Sequence, residues 1–383
     1  MKNEHLLVSL AAAQTLLGMR VLWLLLRSAE GERIQPEEAW TGNECVSVIV
    51  PVLNERNRLS PCLEGLVAQG AEVVEIVVVD GGSDDGTQQL VSTYAKRDPR
   101  VRLVKADPIP SLWNGKAWGL QMGLRSASPD AAWILTIDAD VRPRAPLTRA
   151  LLPQAKRAKL AALSVATLQE LESIGEGLLH PSLLTTLVYR FGIPGRVFHR
   201  VSEVQANGQC FLFSRGELET CGGFVGTCHS ICEDITIARI LVAAGYSVGF
   251  YEAGDLVTVK MYADWHDTWH NWTRSLPMHD RFSGVNTLLG WLEVMLVQAL
   301  PLPLFFFFVT VHMRWNWLVI LNSNLVVMRI GVLFGTARAY RRRPWSYWLS
   351  PLCDLPVAIQ LGRSMVQRQH VWRGRVLVRG DFS

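Results

Sequence analysis

Apolar residues follow two regimes along this chain. Both ends carry long, scarcely interrupted hydrophobic runs, whereas the middle, from about Val46 to Tyr262, breaks into short apolar segments separated by polar turns. Leu6 to Leu26 is a run of 21 residues. At a rise of about 1.5 Å per residue it is long enough to cross a hydrocarbon core of about 30 Å. Arg20 interrupts it. A secretory signal peptide is the rival reading, but only Arg27-Ser-Ala-Glu-Gly-Glu-Arg33 follows, with no small-residue cleavage site, so a retained anchor is expected. A second run, Thr287 to Val311, contains Pro301, Pro303 and Phe305 to Phe308; a third, Trp317 to Gly335, contains Asn322, Asn324 and Arg329. These two predict a membrane hairpin. Trp345 to Leu361, of about 17 residues, holds Asp354 and two prolines. It sits at the lower limit for a crossing and reads as re-entrant or interfacial.

The middle of the chain alternates two periods. Cys45 to Leu53 is a short β-branched stretch, and Leu59, Leu63, Leu66 and Val67 then follow at helical spacing. Val73 to Asp80 is a continuous apolar run, as expected for a strand buried on both faces. It ends in Asp80-Gly-Gly-Ser-Asp-Asp-Gly-Thr87, after which a helix is predicted to about Lys96. Val101–Val104 reads as a third strand, Asn114–Arg125 as a helix and Trp133–Asp138 as a fourth strand, with further strands at Leu160–Ala166, Gln209–Ser214 and Tyr246–Glu252. Such alternation predicts an α/β fold with a mostly parallel sheet and helices on both faces.

The net charge of +4 is modest, and its placement is more telling than its size. Arg341, Arg342 and Arg343 mark a cytoplasmic loop after the hairpin, which puts the segment before Thr287, and with it the α/β domain, on the same side. Arg363, Arg368, Arg373, Arg375 and Arg379 favour that side as well, against a full fourth crossing. The expected location is a bacterial inner (cytoplasmic) membrane, multi-pass, with the catalytic domain facing the cytosol. Seven cysteines, an odd number, are most simply reduced thiols there. Cys221, Cys228, Cys232 and His229 lack the close Cys-x2-Cys pairing of a zinc site.

Trp133-Ile-Leu-Thr-Ile-Asp-Ala-Asp140 delivers two carboxylates, Asp138 and Asp140, to the carboxyl end of a strand. Open α/β sheets build their ligand crevice there. Carboxylates so spaced suit a divalent cation that also grips a diphosphate, although Asp-x-Asp is equally a common turn. Neighbouring strand ends supply Pro51, Asn54 and Glu55, and Asp80. Acidic groups in that place accept hydrogen bonds from ribose hydroxyls or a base N–H, which suits Glu55 and Asp80. Gly81, Gly82 and Gly86 permit close backbone approach to a ligand, or form a plain turn in which Ser83 or Asp84 caps the next helix. Lys116, at a helix start, adds positive charge to an anion-attracting N-terminus, or is a surface lysine. Glu233 and Asp234 precede an apolar helical run; one caps it, and Asp234, if buried, has the makings of a general base towards a hydroxyl.

Tyr262, Trp265, Trp269, Trp272 and Leu276 fall at spacings of 3, 4, 3 and 4, which places them in one stripe on a helix before the hairpin. The stripe reads as membrane-interfacial or as an ordinary core face. His266, His270 and Arg274 on this helix are candidates to neutralise a departing diphosphate; a metal at His266 and His270 lacks the intervening Glu of His-Glu-x-x-His.

Taken in order, Pro51-Val-Leu-Asn-Glu55, Asp80-Gly-Gly-Ser-Asp-Asp-Gly-Thr87, Gly115-Lys116, Asp138-Ala-Asp140, Gly208-Gln209 and Glu233-Asp234 resemble the motif series of family 2 glycosyltransferases with a GT-A fold. The resemblance implies a nucleoside-diphosphate sugar bound through Pro51, Asn54, Glu55, Asp80, Lys116, Asp138, Glu233 and Arg274. It implies Mg²⁺ or Mn²⁺ at Asp138 and Asp140, and an inverting reaction with Asp234 as base. Asp80-Gly81-Gly82-Ser83 departs from the usual Asp-Asp-Gly-Ser, and Trp269-His-Asn-Trp-Thr-Arg274 stands where processive synthases carry Gln-x-x-Arg-Trp. The chain is therefore similar to the branch acting on hydrophobic lipid acceptors, carotenoid and hopanoid glycosyltransferases included. A polyprenyl-phosphate acceptor, met by Arg274 and Arg281, and a silent membrane scaffold are the rival readings.

The expected organisation is an anchor over 1–27, a GT-A catalytic domain over 45–262 and an aromatic interfacial helix over 262–282. A membrane hairpin with a re-entrant or interfacial segment follows over 286–361, then a basic cytoplasmic tail over 362–383. Partners implied are the donor, a lipid or carotenoid acceptor and the membrane, without nucleic acid.

Overall fold

The computed structural model describes residues 2–35, 42–262, 264–272, 284–312, 316–366, 369–372 and 375–378. The chain divides into two compact units, one of Gly31–Gln169, Pro194–Met261 and Arg368–Ser383, the other of Met1–Glu30, Glu170–Ile193 and Tyr262–Gln367. Glu170–Ile193 lies inside the interval 45–262 expected as one catalytic domain, yet it clusters with the apolar helices.

The α/β unit is built on β1 (Cys45–Val52), β2 (Val73–Asp80), β3 (Val101–Lys105), β4 (Ala131–Ile137), β5 (Val141–Pro143), β6 (Ala162–Ala166), β7 (Leu168–Glu170), β8 (Arg196–Phe198), β9 (Cys210–Ser214), β10 (Val248–Glu252) and β11 (Val257–Val259). Eight of these form one sheet in the order β3-β2-β1-β4-β9-β6-β10-β8. Pairs β1–β2, β2–β3, β1–β4 and β6–β10 are parallel, whereas β9 runs antiparallel to both β4 and β6, and β8 to β10. The mostly parallel expectation therefore holds, with β9 and the edge strand β8 as the two that run the other way. Val46, Val48, Val50 and Val52 of β1 pack on one face with Leu59, Leu63 and Leu66, while Ile49 packs on the other with Leu120 and Leu124. Burial on both faces explains the unbroken apolar run.

Register brings the strand ends together. Val52 pairs with Asp80 and Ile49 with Thr136, so β1, β2 and β4 stop at the same edge. The helix Gly115–Ser126 lies tight on β1, since a Cβ on Gly123 would stand 2.4 Å from Ile49 Cγ2. Its closeness depends on that glycine.

Within the second unit, Glu4–Ser28 and Trp317–Ala339 are long and apolar enough to cross a membrane. The second run, Thr287 to Val311, is not one straight helix but falls in two, Gly284–Ala299 and Pro301–Thr310, bent by 44°. A π-turn over Val294–Ala299 and the missing N–H of Pro301 account for the bend. Counted as one span, the pair raises the total to three. Trp345–Leu361 is not one continuous α-helix: Trp345–Cys353 winds as 3₁₀ helix and Asp354–Val366 as α-helix. Polar residues inside this unit find each other. Arg20 pairs with Glu293, and Arg329 Nε donates to Asp354 Oδ2 at 2.8 Å with both side chains only 3% exposed.

Among the described residues of the aromatic stripe, Trp265–Asn271 is α-helical and Tyr262 precedes the helix; Tyr262 and Trp272 are buried, whereas Trp265 is 48% exposed. Leu276, Arg274 and Arg281 lie outside the described residues. The basic tail also contains structure, an antiparallel pair of Gln369–Trp372 and Arg375–Val378.

Candidate active site

Four polypeptide segments of the α/β unit meet at the shared strand edge. The loop after β1 turns through Asn54, whose φ of 56° is left-handed. Its N–H donates to Ser83 Oγ at 2.8 Å and its side-chain oxygen accepts from Asp84 N at 3.0 Å, which stitches the β1 and β2 exit loops together. Gly86 is the N-cap of the helix Thr87–Ala95, and Asp85 just before it accepts from Thr87 N at 2.9 Å, so neither Ser83 nor Asp84 is the cap.

Asp80 is fully buried, and its carboxylate accepts from Gly82 N, Ser83 N and Gln88 Nε2 at 3.3, 3.1 and 2.7 Å. The loop's own donors thus occupy the carboxylate expected to serve a ribose. Glu55 is buried beside Arg58, with Arg58 Nε 3.0 Å from its Oε2. Burial pushes its carboxyl up to about 7, Arg58 opposes this, and Asp138 and Asp85 add to it. Pro51 pairs with Val79 in the strand, below the same edge.

Lys116, in the first turn of its helix, reaches Asp138 Oδ1 at 2.8 Å and Glu233 Oε1 at 2.7 Å. Burial alone would lower its ammonium; Asp138, Glu233 and Asp234 outweigh this and hold it above the usual lysine range. Asp234, on the helix Glu233–Ala243, accepts from Gly208 N and Ile235 N, both at 2.7 Å. Burial and then Glu233 raise it to about 7, against the pull of Lys116. Asp138, Lys116, Glu233 and Asp234 form one electrostatic cluster.

Asp140 fits a metal. Its Oδ1 is buried and has no hydrogen-bond partner among the described residues. Burial first, then Asp138, raises its carboxyl to about 7. No group of three His, Cys, Asp or Glu side chains converges on a metal position among the described residues. Two hard carboxylates completed by phosphate oxygens match the habit of Mg²⁺ and its relatives.

Sequence reasoning did not anticipate the buried thiols beneath this cluster. Cys62 donates to the Asp138 carbonyl at 3.6 Å, and burial followed by nearby carboxylates pushes its thiol well up. Nothing in the local pattern marks it. Cys221, Cys228 and Cys232 are free thiols, and His266 and His270 stack on each other.

Residues 47–202 match the profile of glycosyl transferase family 2. The lipopolysaccharide core biosynthesis glycosyltransferase LpsC of Rhizobium meliloti is 37% identical over 109 residues, 28% of this chain and 36% of that one. The dolichyl-phosphate beta-glucosyltransferase of Trichomonas vaginalis is 32% identical over 113 residues, 27% of this chain and 30% of that one. The chain thus spans about a third of these curated relatives. Among solved structures, the mannosyltransferase PcManGT from Pyrobaculum calidifontis, determined with GDP-Man and Mn²⁺, superposes with a TM-score of 0.53 at 19% identity, covering 95% of this chain and 99% of that one. The shared strand edge and the matched segment lead to one conclusion: the chain carries a glycosyl transferase family 2 domain on a GT-A-like fold.

Proposed function

We propose that this protein is an inverting glycosyltransferase that moves a sugar from a nucleoside-diphosphate sugar to a hydroxyl of a hydrophobic membrane acceptor, a carotenoid or other isoprenoid lipid. The observation that carries the reading is the meeting of Asp138, Lys116, Glu233 and Asp234 at one strand edge, with Asp140 offering an unpartnered buried oxygen beside them. Asp138 and Asp140 would hold Mg²⁺ or Mn²⁺, which supplies positive charge for the departing diphosphate. Lys116 adds a fixed ammonium to the same cluster, so leaving-group charge meets preorganised cations. Asp234 takes the acceptor hydroxyl proton. The acceptor oxygen then forms a bond to the anomeric carbon as the bond to the diphosphate oxygen breaks, which inverts that centre and releases the nucleoside diphosphate. Asn54, Glu55 and Pro51 border the nucleotide side, with Asp80 shaping their loop.

The apolar spans of the same chain support a membrane acceptor. The resemblance to myxol-type carotenoid 2′-O-glycosyltransferases favours an alcohol, and the bacterial inner membrane, with this unit in the cytosol, is the setting in which nucleotide sugars are met. The test is to incubate membranes holding the protein with a panel of labelled nucleotide sugars and to identify the labelled product by mass spectrometry. A glycosylated carotenoid or isoprenoid alcohol is expected. Label on a polyprenyl phosphate would favour the rival acceptor, and label only in water-soluble polymer would reject a lipid acceptor. Full activity in Asp138→Ala and Asp234→Ala would sink the enzymatic reading.

A further inference from the structure

Between β6 and β9 lies a buried polar network that no step above uses. Asn207 N donates to Ser164 Oγ at 2.7 Å, and Ser164 Oγ donates back to the Asn207 carbonyl at 3.0 Å. Asn207 Oδ1 accepts from Gln209 N at 3.1 Å, and its Nδ2 donates to Gln209 Oε1 at 3.0 Å. Thr167 Oγ1 donates to the same Gln209 oxygen at 2.5 Å and accepts from Gln169 Nε2 at 2.8 Å. Thr167 and Gln209 are only 6% and 5% exposed. Every donor direction in this network is determined, so it is a rigid unit rather than a set of alternatives.

Its output is the main chain between Asn207 and Gln209. Gly208 N donates to Asp234 Oδ2 at 2.7 Å, and the Gln209 carbonyl accepts from Asp138 N at 3.1 Å. The segment therefore ties the base to the metal-side aspartate. Glycine at its centre leaves room for both carboxylates, because a Cβ on residue 208 would lie 3.1 Å from Asp234 Cβ and 3.2 Å from both Asp234 Oδ2 and Glu233 Oε1, and these would have to shift.

We propose that Thr167, Asn207 and Gln209 are positioning residues which, through the Gly208 amide, set the orientation of the Asp234 carboxylate relative to Asp138. This rests on the glycosyltransferase reading, in which Asp234 is the base. Gly208 N holds Oδ2 and Ile235 N holds Oδ1, and the remaining lone pairs are left for the acceptor hydroxyl. Small misplacements of a reacting group cost about a hundredfold in rate, so loosening the brace should act on turnover and not on donor binding.

Two measurements on the full-length protein test it. The first needs no substrate: hydrogen–deuterium exchange of a peptide spanning residues 205–212 should be slow in the parent and accelerate in Thr167→Val, with Thr167→Ser close to the parent. Fast exchange in the parent, or no change in Thr167→Val, would overturn the brace. The second is steady-state kinetics, where Thr167→Val should lower kcat by about ten- to a hundredfold with donor KM within threefold, and Thr167→Ser should restore the rate. A loss confined to donor KM, or an equal loss in Thr167→Ser, would overturn the positioning role. Gly208→Ala, which crowds both carboxylates without touching the network, must show the same kcat loss, and it decides the kinetic question if Thr167→Val fails to fold. Absence of any transfer by the parent would count against the glycosyltransferase reading, while the exchange measurement still decides the brace.

Discussion

Lys116 Nζ stands 2.8 Å from Asp138 Oδ1, joining the first turn of one helix to the end of β4. The same ammonium touches Glu233, so two carboxylates share one cation. Lys116→Met should leave both facing each other without compensation and cut donor turnover by about 10²–10³. Lys116→Arg, which keeps the charge but not the compact ammonium, should lose less. Initial rates with saturating nucleotide sugar check this, and equal activity of Lys116→Met and the parent would remove Lys116 from the reaction.

Asp234, as the proposed base, should set the acid limb of the rate profile. With its carboxyl at about 7, through burial and Glu233, it carries the proton at lower pH and is a base only above that point. The rate should fall about tenfold per unit below pH 7 and level off above it. In Asp234→Asn the limb should disappear, with the rate about 10²–10⁴ lower and donor KM little changed.

Metal binding should track Asp140. Its carboxyl, ordinarily at 3.8, stands at about 7 through burial and Asp138, so a cation must displace a proton below that value. Mn²⁺ affinity, measured by titration calorimetry, should rise from pH 5.5 to about 7 and then flatten, with proton release seen from buffer-dependent heats. Stability without metal has the opposite sign. The raised carboxyl binds its proton more tightly when folded, so its contribution is complete below pH 4 and is lost as pH rises through about 7. Asp140→Asn should remove the metal trend and lessen the stability trend, to which Glu55 and Asp234 contribute with the same sign.

In the helical unit, Arg329 also donates through Nη2 to Asp354 Oδ1 at 3.1 Å, and Gln298 Nε2 reaches the same oxygen at 2.8 Å. Asp354→Ala should strand a buried guanidinium and cost about 3–5 kcal/mol. An apolar double replacement, Arg329→Met with Asp354→Leu, should recover most of it. Thermal unfolding in detergent reads both variants, and additive losses in the double variant would show that the pair is not coupled.

Several features of the site were legible from local pattern. Asp138 and Asp140 end an apolar strand, and Asn54, Glu55 and Asp80 end the neighbouring ones, because a buried strand must hand over to polar residues where it leaves the sheet. The aromatic spacing from Tyr262 to Trp272 was legible too, but spacing says only which residues share a face. It is silent on what covers that face, and Trp265 and Trp272 met different surroundings. The partners of Asp80 were hidden for a related reason: whether the turn's own N–H groups reach a carboxylate depends on how the loop folds back, and here they do.

Element order, strand ends and apolar spans follow from residues near one another in the chain, since the periods of helix and strand and the length of a hydrophobic run are local properties. Which charges meet is not. Lys116 finds Glu233, Gly208 finds Asp234, and Arg329 finds Asp354 only because register, the antiparallel insertion of β9 and helix packing bring distant segments within hydrogen-bond reach. Burial first, and then the nearby charges Asp138 and Glu233, set the proton affinities of Asp140 and Asp234, so the chemistry of the site belongs to the tertiary structure, although its candidate residues can be named from the sequence.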